Sequence, residues 1–180
     1  MFTFGHGRAT AGDLGTLLRG AGVRGIVDIR RYPGSRANPA ASGEALRQLA
    51  EDLGISYRWE ERLGGRRHLT AEQLADSPDT WWRVPAFRAY AGWTRSEQFH
   101  EAMSELLSDD GAADVAVMCS ESVWWRCHRR LVADVALAIH GEPVTHILPG
   151  GRLSSHELSP GARIAPHDQL VWDLDPGARP

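Results

Sequence analysis

The chain has 180 residues, enough for one domain with a substantial core, and its 42% hydrophobic and 24% charged content is that of a globular protein. No run of about 18 consecutive apolar residues is present, which argues against a membrane partner, and the start lacks the basic and apolar regions of a secretory signal, so a cytoplasmic location is expected. Net charge is −3, from 20 basic against 23 acidic residues, which disfavours a surface built for phosphate backbones; every basic residue is arginine, so neither a Schiff-base lysine nor a Walker lysine can occur.

In chain order, residues 2–6 read as a short apolar strand broken by Gly5-His6-Gly7-Arg8. Thr10 or Asp13 can cap a helix carrying Leu14, Leu17 and Leu18, which Gly20 or Gly22 ends. Residues 23–29 read as a buried strand, and Arg30-Arg31-Tyr32-Pro33-Gly34-Ser35-Arg36 as a basic turn. Ser42 caps a helix with Leu46, Leu49 and Leu53 at helical spacing, Gly54 stops it, and residues 55–59 resume as strand. Residues 60–92 read as a long irregular connection in which Trp81-Trp82 suggests a lid or pocket wall. Thr94-Arg95-Ser96-Glu97 has the capping-box pattern and opens a helix with Phe99, Met103, Leu106 and Leu107 on one side. Residues 115–119 form a fourth strand, residues 120–122 a loop, and a helix runs from Trp124 or Trp125 to His140 before Gly141. Residues 144–148 make a fifth strand. From 150 to 180 the chain is rich in Gly, Pro and Ser and reads as an extension packed on the same domain, with at most a short hairpin.

Near-continuous apolar strands alternating with helices define the expected fold class: α/β, a single domain over residues 1–149 built on an open, mostly parallel five-stranded sheet with helices on both faces, a Rossmann-like three-layer sandwich. Ligands of such sheets bind beyond the carboxyl ends of the strands, where strand order reverses. With an order 3-2-1-4-5, His6 and Glu121 would flank that point, and Cys127-His128-Arg129 would open the following helix beside them. A helix start favours anions and lowers a thiol pKa. The expected catalytic residues are therefore His6, Glu121, Cys127 and His128, and the expected ligand-binding residues Asp28, Arg30, Ser35, Arg36 and Arg129. The structural alternatives are that Asp28 simply pairs with a neighbouring arginine, that a helical cysteine is a small core residue, and that only one of Arg129 and Arg130 faces inward.

Other motifs fail on spacing. Six residues separate Cys119 from Arg126, one more than a phosphatase loop has, and the seven between Cys119 and Cys127 match no standard zinc pattern, so no metal is expected. Gly-x-Gly-x-x-Gly, Walker and Gly-x-Ser-x-Gly sequences are all missing, and no cofactor is indicated.

Phe4-Gly5-His6-Gly7, Val27-Asp28-Ile29-Arg30 with Pro33, Ser35-Arg36 and Pro39, Leu63-Gly64-Gly65, and Met118-Cys119-Ser120-Glu121 followed by Cys127-His128-Arg129 together resemble the family called domain of unknown function 488, over roughly residues 2–148. The resemblance implies a small α/β domain with signature residues at strand ends, and it names no reaction, substrate or cofactor. Val123-Trp124-Trp125-Arg126 stands where the family usually carries an Asp-Pro pair.

The leading expectation is an enzyme that binds a small anionic ligand, nucleotide-like or phosphorylated, with Arg30, Arg36 and Arg129 holding the anion, His6 or His128 moving a proton and Glu121 positioning water, for hydrolysis or group transfer. One alternative is a nucleic-acid-binding module using Arg30, Arg31, Arg36, Arg66 and Arg67 with Trp81 and Trp82 as stacking surfaces. Another is a thiol redox or sensor role for Cys127. Exposed tryptophans would instead favour a homodimer contact.

Overall fold

The computed structural model describes residues 1–34, 37–108 and 114–173. Local chemistry sets the helix ends. Thr10 accepts from the Asp13 backbone N–H while the Asp13 carboxylate accepts from Thr10, a capping box that opens α1, Ala11–Gly20. Ser42 caps α2, Gly43–Leu53, and Gly54 ends it at φ 69, the left-handed conformation that glycine adopts without strain. α5, Glu97–Ser108, starts two residues later than the capping-box pattern suggests: Ser96, not Thr94, accepts from the Phe99 backbone N–H. The Thr94 hydroxyl instead donates back to the Ala91 carbonyl as α4, Pro85–Trp93, ends. That helix and the short α3, Ala71–Ala75, occupy the segment expected to be irregular. Pro85 supplies the preset φ of a first helical position.

The main sheet contains β1 Phe2–Gly5, β2 Gly25–Asp28, β3 Ser56–Trp59, β4 Val115–Cys119, β5 Thr145–Ile147 and β6 Leu153–Ser155. Its order is β3-β2-β4-β1-β5-β6, parallel except for β6. The expected α/β fold is present, with two corrections: a sixth, antiparallel strand extends the sheet, and β4 lies between β2 and β1 rather than outside β1. Ala116, Val117 and Met118 of β4 are wholly buried, which suits a strand covered on both faces.

Side chains of β4 alternate between two cores. Ala116 and Met118 pack with Leu14, Leu18 and Leu46 of α1 and α2. Val117 and Cys119 face the other core, with Phe99 and Met103 of α5 and Leu131 of α6, Arg129–His140. The connections leaving β1 and β2 thus run over one face and that leaving β4 over the other, so a crevice opens at their carboxyl ends.

A hairpin, β7 Ala162–Ala165 and β8 Gln169–Trp172, closes the second core. Trp82 is 6% exposed and stacks on Phe87 at 4.9 Å, and a Cβ at Gly161 would lie 2.1 Å from the Trp81 ring. The two tryptophans join the hairpin to the core rather than presenting free stacking faces. Among the described residues, no helix is long and apolar enough to cross a membrane.

Candidate functional site

A cavity of about 570 Å³ opens at the carboxyl ends of β1, β2 and β4. Its wall includes His6, Arg30, Glu121, Cys127 and His128 from the expected set, together with Cys119, Arg31, Arg66 and Arg126. Asp28 and Arg129 lie behind this wall, and Ser35 and Arg36 fall outside the described residues.

Asp28 and Arg30, two residues apart where β2 ends, turn to each other. Arg30 Nε donates to Asp28 Oδ1 at 2.9 Å and Nη2 to Oδ2 at 2.5 Å, while Nη1 donates to the Ala41 carbonyl at 2.7 Å. The Tyr57 hydroxyl donates to Asp28 at 3.0 Å, and burial, followed by the Asp28 charge, raises its pKa so that it keeps this proton. The Trp59 indole N–H donates to the Arg30 carbonyl at 2.8 Å. Arg30 therefore spends its charge on Asp28 inside the protein, as the structural alternative foresaw, and fixes the end of β2.

His6 is tied to the same network. Its Nδ1 lies 3.0 Å from the Gly7 carbonyl, which only accepts, and its Nε2 lies 3.3 Å from Arg30 Nη1, which only donates. Together these select the neutral tautomer with its proton on Nδ1. Burial lowers the His6 pKa, and the Arg30 charge adds to it, so the ring is neutral at pH 7.

Cys119 ends β4, and Cys127 and His128 lie in the turn that leads into α6. His128 Nε2 sits 3.2 Å from the Ile29 carbonyl, which only accepts, so that nitrogen carries a proton and Nδ1 is the atom turned toward the sulfurs. Nδ1 lies 3.6 Å from Cys127 Sγ and 3.8 Å from Cys119 Sγ. The Tyr90 ring packs on His128 at 4.9 Å, its own hydroxyl engaged by the Leu63 carbonyl. A Cβ at Gly65 would lie 2.8 Å from His128 Nδ1, so the Leu63-Gly64-Gly65 loop approaches the ring only because it has no side chain there.

Burial acts to raise the Cys127 pKa, but hydrogen bonding from Cys119 and the Arg129 charge and N–H groups outweigh it and bring the thiol to about 6. The hydrogen bond to Cys127, followed by burial, pushes Cys119 up to about 12. Of the two thiols, Cys127 is thus the one whose surroundings favour the thiolate. Arg129 is 1% exposed, donates from Nη2 to the Glu121 carbonyl, and buries an Nε without a partner. Among the described residues it has no carboxylate ion pair, and the Cys127 thiolate is the anion beside it. The Glu121 carbonyl comes this close because residue 5 is glycine; a Cβ there would meet it at 1.7 Å.

Toward the mouth, Arg126 and Glu121 are exposed. Arg126 makes no ion pair among the described residues, Arg66 lies over the Tyr32 ring at 6.0 Å, and Arg31 reaches Glu61 only at 3.9 Å. The sequence sets Cys119 and Arg126 aside because their spacing fits neither a phosphatase loop nor a standard zinc pattern, yet both line the cavity. The rule that singled out Glu121, position beyond a strand's carboxyl end, applies equally to Cys119.

Fold and site define an open α/β protein whose signature residues surround a cavity at the carboxyl edge of its parallel sheet. The chain belongs to the family described as domain of unknown function DUF488, whose match covers residues 11–136. No curated protein and no solved structure matches the chain.

Proposed function

We propose that the chain is an enzyme that binds a small anionic substrate, nucleotide-like or phosphorylated, in this cavity and performs hydrolysis or group transfer on it. One observation carries the reading: guanidinium groups without carboxylate partners and a cluster of three electron-pair donors, Cys119, Cys127 and His128, line the same cavity. Arg66 and Arg126, with Arg31, hold the anion, since charge-assisted bonds from arginine suit phosphate oxygens. Phe87 and Tyr90 offer an apolar wall for the rest of the substrate. Glu121 positions water, and the donor cluster faces the reacting centre. Arg30, although it lines the wall, is locked to Asp28, and Arg129 lies behind the wall beside Cys127.

The packing of Trp81 and Trp82 into the core, which removes them as stacking faces, favours a small molecule over an oligonucleotide. Titration calorimetry with inorganic phosphate and with nucleoside phosphates tests the reading. Saturable binding that weakens about tenfold in Arg126→Ala, the loss of one charge-assisted bond, is expected. Equal affinity in an Arg66→Ala/Arg126→Ala double variant rejects the assignment of these groups. Oligonucleotide affinity with a steep salt slope would favour the nucleic-acid alternative instead.

A further inference from the structure

We infer that Cys119, Cys127 and His128 bind a single transition-metal ion, with zinc the ion that best fits this donor set. The inference deepens the reading above, because it supplies that cavity with its reactive centre. The two Sγ atoms and a His128 ring nitrogen all lie within 4.8 Å of one another. A tetrahedron with Zn–S of about 2.3 Å and Zn–N of about 2.0 Å has S···N edges of about 3.5 Å. The observed 3.6 and 3.8 Å need only a small contraction to match it.

The imidazole is already set for a ligand. Its Nε2–H is taken by the Ile29 carbonyl, which fixes the ring and leaves Nδ1 directed at the sulfurs, the outer-shell arrangement that orients metal-bound histidines. Two thiolates and an imidazole are soft and borderline donors, which select zinc over magnesium or calcium. All three residues line the cavity, so a fourth position opens toward substrate; three protein ligands with an open position is the composition of catalytic rather than structural zinc sites.

Charge supports the same conclusion. Two thiolates cancel the zinc charge, and Arg129, buried beside Cys127 with an unpartnered Nε and no carboxylate ion pair among the described residues, leaves one positive charge uncompensated. An anionic fourth ligand balances it. A zinc ion held here acts as a Lewis acid on an oxygen of that anion, and Cys127 then serves as a ligand rather than as the attacking atom.

The test uses the full chain, reduced and metal-free, titrated with cobalt(II) and then with zinc. Expected are one equivalent of cobalt with a sulfur-to-cobalt charge-transfer band and the visible bands of a tetrahedral site, displacement by zinc, and zinc protection of both thiols from Ellman's reagent. Cys119→Ser, Cys127→Ser and His128→Asn should each weaken binding by more than the ~10–100-fold that follows loss of an outer-shell partner. Thiol protection in the unmodified chain keeps the test valid if a variant fails to fold. Absence of the thiolate band, unprotected thiols at saturating zinc, or unchanged affinity in the folded double cysteine variant overturns the site. Phosphate binding to the metal-free chain is measured in parallel. Phosphate bound without cobalt rejects only the metal site, and cobalt bound without phosphate rejects only the proposed substrate class.

Discussion

Two buried polar clusters depend on α6, and they are built on opposite terms. Halfway along the helix, Asp134 accepts from His156 Nε2 at 2.9 Å, from the Ser159 backbone N–H at 2.9 Å and from the Trp172 indole N–H at 2.9 Å. His156 continues to His146 at 3.0 Å, and His146 to the Thr3 hydroxyl at 2.7 Å. Every one of these side-chain polar groups has a partner, and the chain of bonds ties α6, β1, β5 and the closing hairpin together. At the start of the same helix, Cys119, Cys127, His128 and Arg129 keep an unpartnered guanidinium nitrogen, with the thiols and the imidazole facing a cavity. Burial is common to both clusters. What separates structure from function is whether the bonding is complete without an outside molecule.

The largest effect belongs to the closed cluster. Asp134→Ala strands three donors in the interior and should cost about 3–5 kcal/mol in urea unfolding, the range for breaking a buried charged network; a loss below about 1 kcal/mol would show that the network is not closed. Acid should open the same cluster. Burial, followed by the charges of His156 and Arg129, lowers His146 to about 3. Since the unfolded ring titrates near ~6.5, its contribution is fully present above that pH and is lost as pH falls toward about 3, amounting to about 3.5 kcal/mol by pH 4 at ~1.4 kcal/mol per unit. Unfolding free energies between pH 7 and 4 check this, and a flat profile contradicts the neutral, buried assignment of His146.

A smaller effect sharpens the comparison on the open side. In Gly5→Ala the added Cβ collides with the Glu121 carbonyl, which also accepts from Arg129, so stability should fall by about 1–3 kcal/mol, with loss of phosphate affinity. An unchanged unfolding midpoint would mean that this close approach is not required. Smallest of all, Arg126→Ala should shift stability by no more than ~0.5 kcal/mol because the side chain is exposed and unpaired, while anion affinity falls about tenfold. A variant with both properties unchanged would remove Arg126 from the site.

Much of this organisation is legible in the residues. Periodicity and caps locate the first five strands and most helices, because burial on both faces and N-cap bonding leave local signatures. Strand order leaves none: both β1 and β4 read as short buried strands, and only tertiary packing puts β4 between β2 and β1. α4 escapes notice because its first turn begins with Pro85 among tryptophans, and β6 because Leu153 and its neighbours form a partly exposed edge. In the site, Asp28 and Arg30 stand two apart on an extended segment, where side chains share a face, which is why their pairing is legible in the sequence. The meeting of Cys119 with Cys127 and His128 could be considered but has no standard spacing to support it. Zinc spacings describe ligands within one local turn, whereas here one donor ends a strand and the others precede a helix.

The central claim is that free guanidinium groups and the Cys-His cluster face one anion-binding cavity, and the rate at which iodoacetamide alkylates Cys127 in the metal-free chain tests it most directly. Inorganic phosphate should slow that reaction saturably, and the protection should weaken in Arg66→Ala/Arg126→Ala. Phosphate that binds yet leaves the alkylation rate unchanged would place the anion elsewhere and contradict the account.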